Sequence, residues 1–269
     1  RRAKYFDGVI ALFLLCGLAV MLVAGGSLFS HLWGWRLETG FLLNGVFLYL
    51  VMLIGIKGML WLNTLLIPGL IFISASIAVN SIGSGGAPQS LPLESGFLMQ
   101  NWLMAALLYV SYNVVLGMVV LVTLGETARQ VGSKGVFLGG LILGLLAVLL
   151  SLALSSNLDL INGRDLPLLI LAQRQQKQLS QLFAFVLWAA IITTALGNGL
   201  GLVKRLQQFP FGPKPLVTAL PFLPSLAFLG WPLMRAVGVI YPFLGYVGLV
   251  VILAIVFKRF CGRKACRHF

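Results

Sequence analysis

Acidic side chains are nearly missing. Of 269 residues only six are Asp or Glu, two are His and three are Cys, and charged residues of every kind make up 9%. Soluble domains carry about a quarter charged residues, so a water-exposed globule of this length is excluded. The same scarcity removes the usual material of general acid–base chemistry. Asp7, Glu38, Glu94, Glu126, Asp159 and Asp165 all fall in loops or near the ends of apolar runs, and no phosphate-cradling or dinucleotide-binding glycine pattern occurs. The expectation is a protein that is not an enzyme. With no carboxylate inside a run, a self-contained proton relay is disfavoured as well. Three cysteines make no disulfide framework. Cys16 sits in an apolar run as a small hydrophobe, and Cys261 and Cys266 with His268 fall short of a metal-ligand set.

What the chain does have is apolar length: 59% of it is hydrophobic and the mean hydropathy is +1.01. A hydrocarbon core of ~30 Å takes ~20 apolar residues per helix. Eight such runs follow one another, at about 8–29, 39–56, 59–82, 97–124, 136–155, 179–203, 216–231 and 236–257. They leave no room for a soluble domain. The fold class expected is all-α, a polytopic transmembrane bundle forming a single integral membrane domain over residues 1–269. Pro68 should kink the third run. Pro221 and Pro224 interrupt the seventh, which with the eighth could instead form a re-entrant hairpin and a span. Trp33, Trp35 and Arg36 read as an interfacial anchor. Residues 83–96 read as a flexible loop, and 166–177 as a short amphipathic helix outside the bilayer.

A net charge of +13 could suggest nucleic acid, but its placement argues against that partner. If Arg1 lies in the cytoplasm and sides alternate, fourteen of the nineteen Lys and Arg are cytoplasmic; only Arg36, Arg164, Arg174, Lys177 and Arg235 fall opposite. This is the positive-inside bias, and an even number of spans puts both ends of the chain in the cytoplasm. The basic tail at 258–269 would then lie against anionic headgroups of the bilayer. The chain opens on Arg1 without a signal-peptide layout, so the expectation is a processed protein or a piece of a longer one.

Two polar clusters break the apolar interior. Tyr109, Ser111, Tyr112 and Asn113 place four hydrogen-bonding side chains within five residues of the fourth run. Lipid satisfies none of them, so they either join neighbouring helices or line a wet cavity, on a helix that is broken or loosened there. The sixth run carries Thr193 and Thr194 ahead of Gly197, Asn198 and Gly199. Adjacent hydroxyls and glycine-exposed carbonyls are hard oxygen ligands suited to a small cation such as Na⁺; the alternative is that the threonines bond back to their own helix.

The strings GIKGMLWLNTLLIPGLI (55–71), LYVSYNVVL (108–116) and LWAAIITTALGNGLGL (187–202) resemble the YkvI-like membrane proteins, bacterial carriers similar to the amino acid–polyamine–cation superfamily with the LeuT-type fold. The likeness runs to about Phe257. It implies two inverted five-helix repeats with the first two helices missing: residues 8–82 would be the last three helices of the first repeat, and 97–257 the second repeat. It also implies a location in the bacterial inner membrane. Tyr109, Ser111, Tyr112 and Asn113 would then bind a small amino acid-like solute, Thr193 and Thr194 would be metal ligands for Na⁺ as coupling ion, and residues 166–177 would be the external gating loop. The function this implies is Na⁺-coupled secondary transport by alternating access. Its rival is a degenerate carrier serving as membrane sensor or assembly partner. No other cofactor is implied.

Overall fold

The computed structural model describes residues 2–54, 59–87, 101–124, 132–208 and 212–265, with side chains from Asp7 onward and excluding residues 55–65, 119–134 and 258–265. The turn at Lys57, the loop with Glu94, the turn with Glu126, residues 209–211, and Cys261, Cys266 and His268 of the basic tail lie outside the described residues or side chains. Everything described is helix, turn or coil, with no strand among the described residues. In chain order the helices are α1 (Arg2–Trp33), α2 (Leu37–Ile54), α3 (Met59–Ser84), α4 (Trp102–Leu124), α5 (Gly132–Ser155), the short α6 (Leu158–Ile161) and α7 (Pro167–Gln175), α8 (Lys177–Leu206), the short α9 (Lys214–Ala219) and α10 (Phe222–Ser225), a 3-10 turn (Leu226–Phe228), and α11 (Leu233–Ala265). Among the described residues six helices are long and apolar enough to cross a membrane: Asp7–Trp33, Leu37–Ile54, Leu66–Ser84, Gly135–Ser155, Lys177–Leu206 and Leu233–Phe257.

Two of the expected spans come out differently. The fourth begins at Trp102 rather than residue 97, where Asn101 caps it: its Oδ1 accepts the Met104 N–H at 2.8 Å. The helix then continues unbroken through the polar cluster to Leu124, so the loosened segment expected there does not form. No glycine or proline falls between Trp102 and Leu116, and the polar side chains find acceptors on their own helix, as described below. The seventh run is not one helix. It is divided into α9, α10 and the 3-10 turn, because Pro221 and Pro224 supply no backbone N–H to continue the ladder. Average apolarity gave that run the look of a span; two missing donors decide otherwise. Pro68, by contrast, lies inside α3 without ending it.

The chain forms two compact units. One comprises Arg1–Leu91 and Phe137–Ala236, the other Pro92–Val136 and Val237–Phe269. In the larger unit, α1 packs on both α8 and α2, which also touch each other, α3 packs on α8, and α7 lies across α3 and α8. Phe13, Leu18, Leu22 and Leu28 of α1 are fully buried. Lipid tails are as apolar as leucine, so such helices gain little by leaving lipid; close packing has to hold them. Glycine supplies it. At Gly26 an added Cβ would lie 2.8 Å from the Leu37 carbonyl, and at Gly40 one would lie 2.9 Å from Gly26 Cα. These two glycines bring the α1 and α2 backbones together.

Polar contacts mark the two ends of this unit. At one end Arg205 Nε donates to Asp7 Oδ1 at 2.8 Å, tying the start of α1 to the end of α8. At the other, His31 meets Gln173 at 3.1 Å and Ser27 Oγ donates to Asp165 Oδ2 at 2.7 Å. Thus α1 and α8 run antiparallel. Asp7 and Arg205 belong to one end of the unit, while Ser27, His31, Asp165 and Gln173 belong to the opposite one. Near the latter, Phe29, Trp33 and Trp35 form a three-ring cluster with centroids 4.9–5.8 Å apart. Both tryptophans are exposed, as interfacial anchors are.

Candidate functional site

The first polar cluster lies in the smaller unit and divides between two faces of α4. Leu108, Ser111, Tyr112 and Val115 are buried, at the 3–4-residue spacing of one helical stripe. Tyr109 and Asn113 are exposed on another stripe. Ser111 Oγ donates to the Leu107 carbonyl at 2.7 Å and Asn113 Nδ2 to the Tyr109 carbonyl at 2.8 Å, both back-bonds within α4. The helix thereby absorbs half the polarity that suggested a break. The tyrosines do something else. Tyr112 takes the Tyr109 ring edge-on at 5.5 Å and stacks on Tyr241 of α11 at 4.9 Å with 25° between planes.

Tyr241 is the residue that sequence reasoning missed at this site. Its approach depends on Gly245 and Gly248, one and two turns further along α11. A Cβ at Gly245 would lie 2.6 Å from Leu108 Cβ, and one at Gly248 would lie 2.9 Å from the Ser111 carbonyl. The available signal was a tyrosine next to Pro242, followed by glycines at i+4 and i+7 in an otherwise apolar run that also holds Tyr246.

The second cluster lies in the larger unit. Thr193 is buried and Thr194 exposed, and both hydroxyls donate to the Ala190 carbonyl, at 3.1 and 2.8 Å. Each hydroxyl gives its hydrogen to the helix, and of the two only Thr194 is exposed. The glycines after them serve packing. Gly199 admits Met52 of α2, whose Cε and Sδ lie 3.0 Å from the Cβ position, and Gly201 admits Leu14 Cδ1 of α1 at 2.9 Å. Asn198 makes the reciprocal contact: its carboxamide rests on Gly17 of α1, with Nδ2 2.6 Å from where a Cβ would be. Thr194 and Asn198 stand four residues apart on one stripe of α8, which continues through Gly201 to Arg205.

A third polar contact was not foreseen. Trp188 Nε1 donates to Asn44 Oδ1 at 3.0 Å, and Asn44 Nδ2 donates to the Gly40 carbonyl at 2.7 Å. Asn44 is almost wholly buried and presses on Gly25, where a Cβ would lie 2.8 Å from its Cγ. Single polar residues in separate runs leave no local pattern to detect. No group of three or more His, Cys, Asp or Glu able to hold a metal occurs among the described residues. Of the acids, Asp7 lies near the start of α1, Glu38 in the first turn of α2, and Asp159 and Asp165 between α5 and α7.

Apolar spanning helices, glycine-mediated packing and polar groups confined to helix faces and ends define a helical membrane protein. The chain is homologous to the "Uncharacterized membrane protein YkvI" of Bacillus subtilis (strain 168), with 28% identity over 265 residues, covering 96% of this chain and 74% of the relative. It is also similar to the "Uncharacterized protein YyaD" of the same strain, 22% identical over 255 residues, covering 94% of this chain and 74% of that one. No family model and no solved structure matches.

Proposed function

We propose that the chain belongs to a secondary transporter that carries a small amino acid-like solute across the bacterial cytoplasmic membrane, coupled to Na⁺ and working by alternating access. The observation that carries this reading is the stripe on α8. Thr194 is exposed in the middle of a long apolar helix, with Asn198 one turn on along the same stripe and the buried Thr193 hydroxyl beside it. Polar groups at such depth are costly when they serve only packing, and in transporters they surround the transported species. The tyrosine trio of α4 and α11 supplies the second element: Tyr109 and Asn113 are the exposed polar groups there, and Tyr112 and Tyr241 are their support. The solute contacts are assigned to Tyr109 and Asn113, and the Na⁺ contacts to Thr193 and Thr194. The end with Asp7 and Arg205 faces the cytoplasm, in keeping with the basic-residue count. No step requires a bond to be made or broken, so the protein is not an enzyme in this reading.

Ligand-induced stabilisation tests the cation assignment. A ligand that binds only the folded state stabilises it by RT ln(1 + [L]/Kd), about 2.7 kcal/mol at a hundredfold excess over Kd. The purified full-length protein should melt several degrees higher in NaCl than in equal KCl or choline chloride. Thr193→Val with Thr194→Val should abolish the difference while leaving the melting point in KCl within a few degrees. Equal melting in all three salts would remove Na⁺ from the account.

A further inference from the structure

Asp165 fastens the head of α11. Its Oδ2 accepts the Leu233 N–H at 3.0 Å and its Oδ1 the Met234 N–H at 3.0 Å, while the Ser27 hydroxyl of α1 donates to Oδ2 at 2.7 Å. One carboxylate thus holds two of the four backbone donors that a helix start leaves unmatched. It favours a helix N-terminus electrostatically as well. The next residue, Leu166, has φ +55°, the only positive φ at a non-glycine among the described residues. Leucine adopts that conformation only where its surroundings impose it, so the Asp165 carboxylate is held on its target at a cost in backbone strain.

The two sides of this fastening are anchored unequally. On the Asp165 side, α7 buries Leu169, Ile170, Leu171 and Ala172 in succession against α1, α3 and α8. Gln175 Nε2 ties the same segment to α3, donating to the Ile77 carbonyl at 2.8 Å and to Ser81 Oγ at 2.9 Å. On the other side, Leu233 is half-buried against the edge of the same cluster, Met234 is exposed, Arg235 is exposed over the Trp231 ring, and Ala236 is the only fully buried side chain in the first turn of α11. The α7 side is a fixed post. The head of α11 is the less anchored side.

We propose that Asp165 is a releasable latch: the first turn of α11 is held closed mainly by this one carboxylate, and it opens without disturbing α7 or the packing beneath it. The device stands whether or not the chain carries a solute. It gives the fold a point at which a single broken contact frees the start of a long helix, while the segment that holds the latch stays in place.

Hydrogen exchange on the intact protein in lipid nanodiscs tests it, read by mass spectrometry on peptides spanning 231–240, 167–176 and 183–192. Asp165→Ala should speed exchange in 231–240 by about tenfold or more and leave the other two within about twofold. Ser27→Ala, which removes one donor of three, should speed 231–240 by a few-fold only. Should Asp165→Ala fail to assemble, Asp165→Asn, which keeps the shape and one acceptor oxygen but loses the second acceptor and the charge, carries the test: exchange in 231–240 should rise a few-fold and the other two should stay within about twofold. Unchanged exchange in 231–240 would show that the carboxylate is not the fastening. Equal acceleration in 167–176 would show that α7 is no fixed post. Either result overturns the latch.

Discussion

Trp188 gives its indole hydrogen to Asn44 across 3.0 Å, and Asn44 lies where a side chain on Gly25 would otherwise be. Three helices, α1, α2 and α8, are registered by this one contact. Hydrogen bonds between membrane helices are worth ~0.6 kcal/mol on average and up to ~1.7 kcal/mol. Asn44→Ala should therefore destabilise the larger unit by about 1–2 kcal/mol, a sum of the lost bond and the cavity left. Gly25→Ala should cost about 1–3 kcal/mol by overpacking. Because Asn44 is the atom group in the way, the double variant should be less damaged than the two single costs added together. A double-mutant cycle on melting in detergent checks this, and strict additivity would show that the two residues do not share the site.

At the other glycine contact, Gly245→Ala would put a methyl 2.6 Å from Leu108 Cβ. Neither α4 nor α11 has a flexible side-chain end there to yield, so the helices must part. The expected outcome is a loss of about 1–3 kcal/mol together with weakening of the Tyr112–Tyr241 stack. Near-ultraviolet circular dichroism in the tyrosine band reports the second effect. Gly238→Ala on the same helix serves as control, because open space surrounds its Cβ position. A signal that survives Gly245→Ala unchanged would mean that the stack does not depend on the close approach.

The Asp7–Arg205 pair ties α1 to α8 at their common end, with side chains 48% and 23% exposed. Partly exposed pairs contribute on the order of 0–1 kcal/mol, so either single neutralisation should have a small effect, shrinking further in high salt. Arg205 also donates to the Gly201 carbonyl of its own helix at 3.2 Å, which makes Arg205→Ala the costlier of the two single changes. Exchanging the two charges, Asp7→Arg with Arg205→Asp, should restore part of the loss. Melting in low and high salt is the measurement, and a swap no better than the worse single variant would deny the pairing.

Positions of the long helices were legible because lipid imposes a simple rule: apolar length becomes helix, and Lys and Arg mark its ends. The rule falters where average apolarity hides a backbone fault. That is why residues 216–231 read as a span although Pro221 and Pro224 divide them. It also overstates what polarity does to a helix. Ser111 and Asn113 looked like the mark of a break, yet a carbonyl four residues back satisfies each of them. The threonine pair followed the other alternative open to it and bonds back to Ala190. What the sequence could not show was partnership. Tyr241 for Tyr112, Gly17 for Asn198 and Trp188 for Asn44 are separated by well over a hundred residues, and nothing local marks one as the complement of the other.

Solute uptake into proteoliposomes holding the full-length protein, with an inward sodium gradient and a labelled amino acid mixture, is the most direct test of sodium-coupled transport. The predicted result is accumulation that vanishes when potassium replaces sodium on the outside. Uptake should fall at least tenfold in Thr194→Val, with the variant melting normally in KCl. Uptake indifferent to sodium, or unchanged in Thr194→Val, would contradict the role assigned to the stripe on α8.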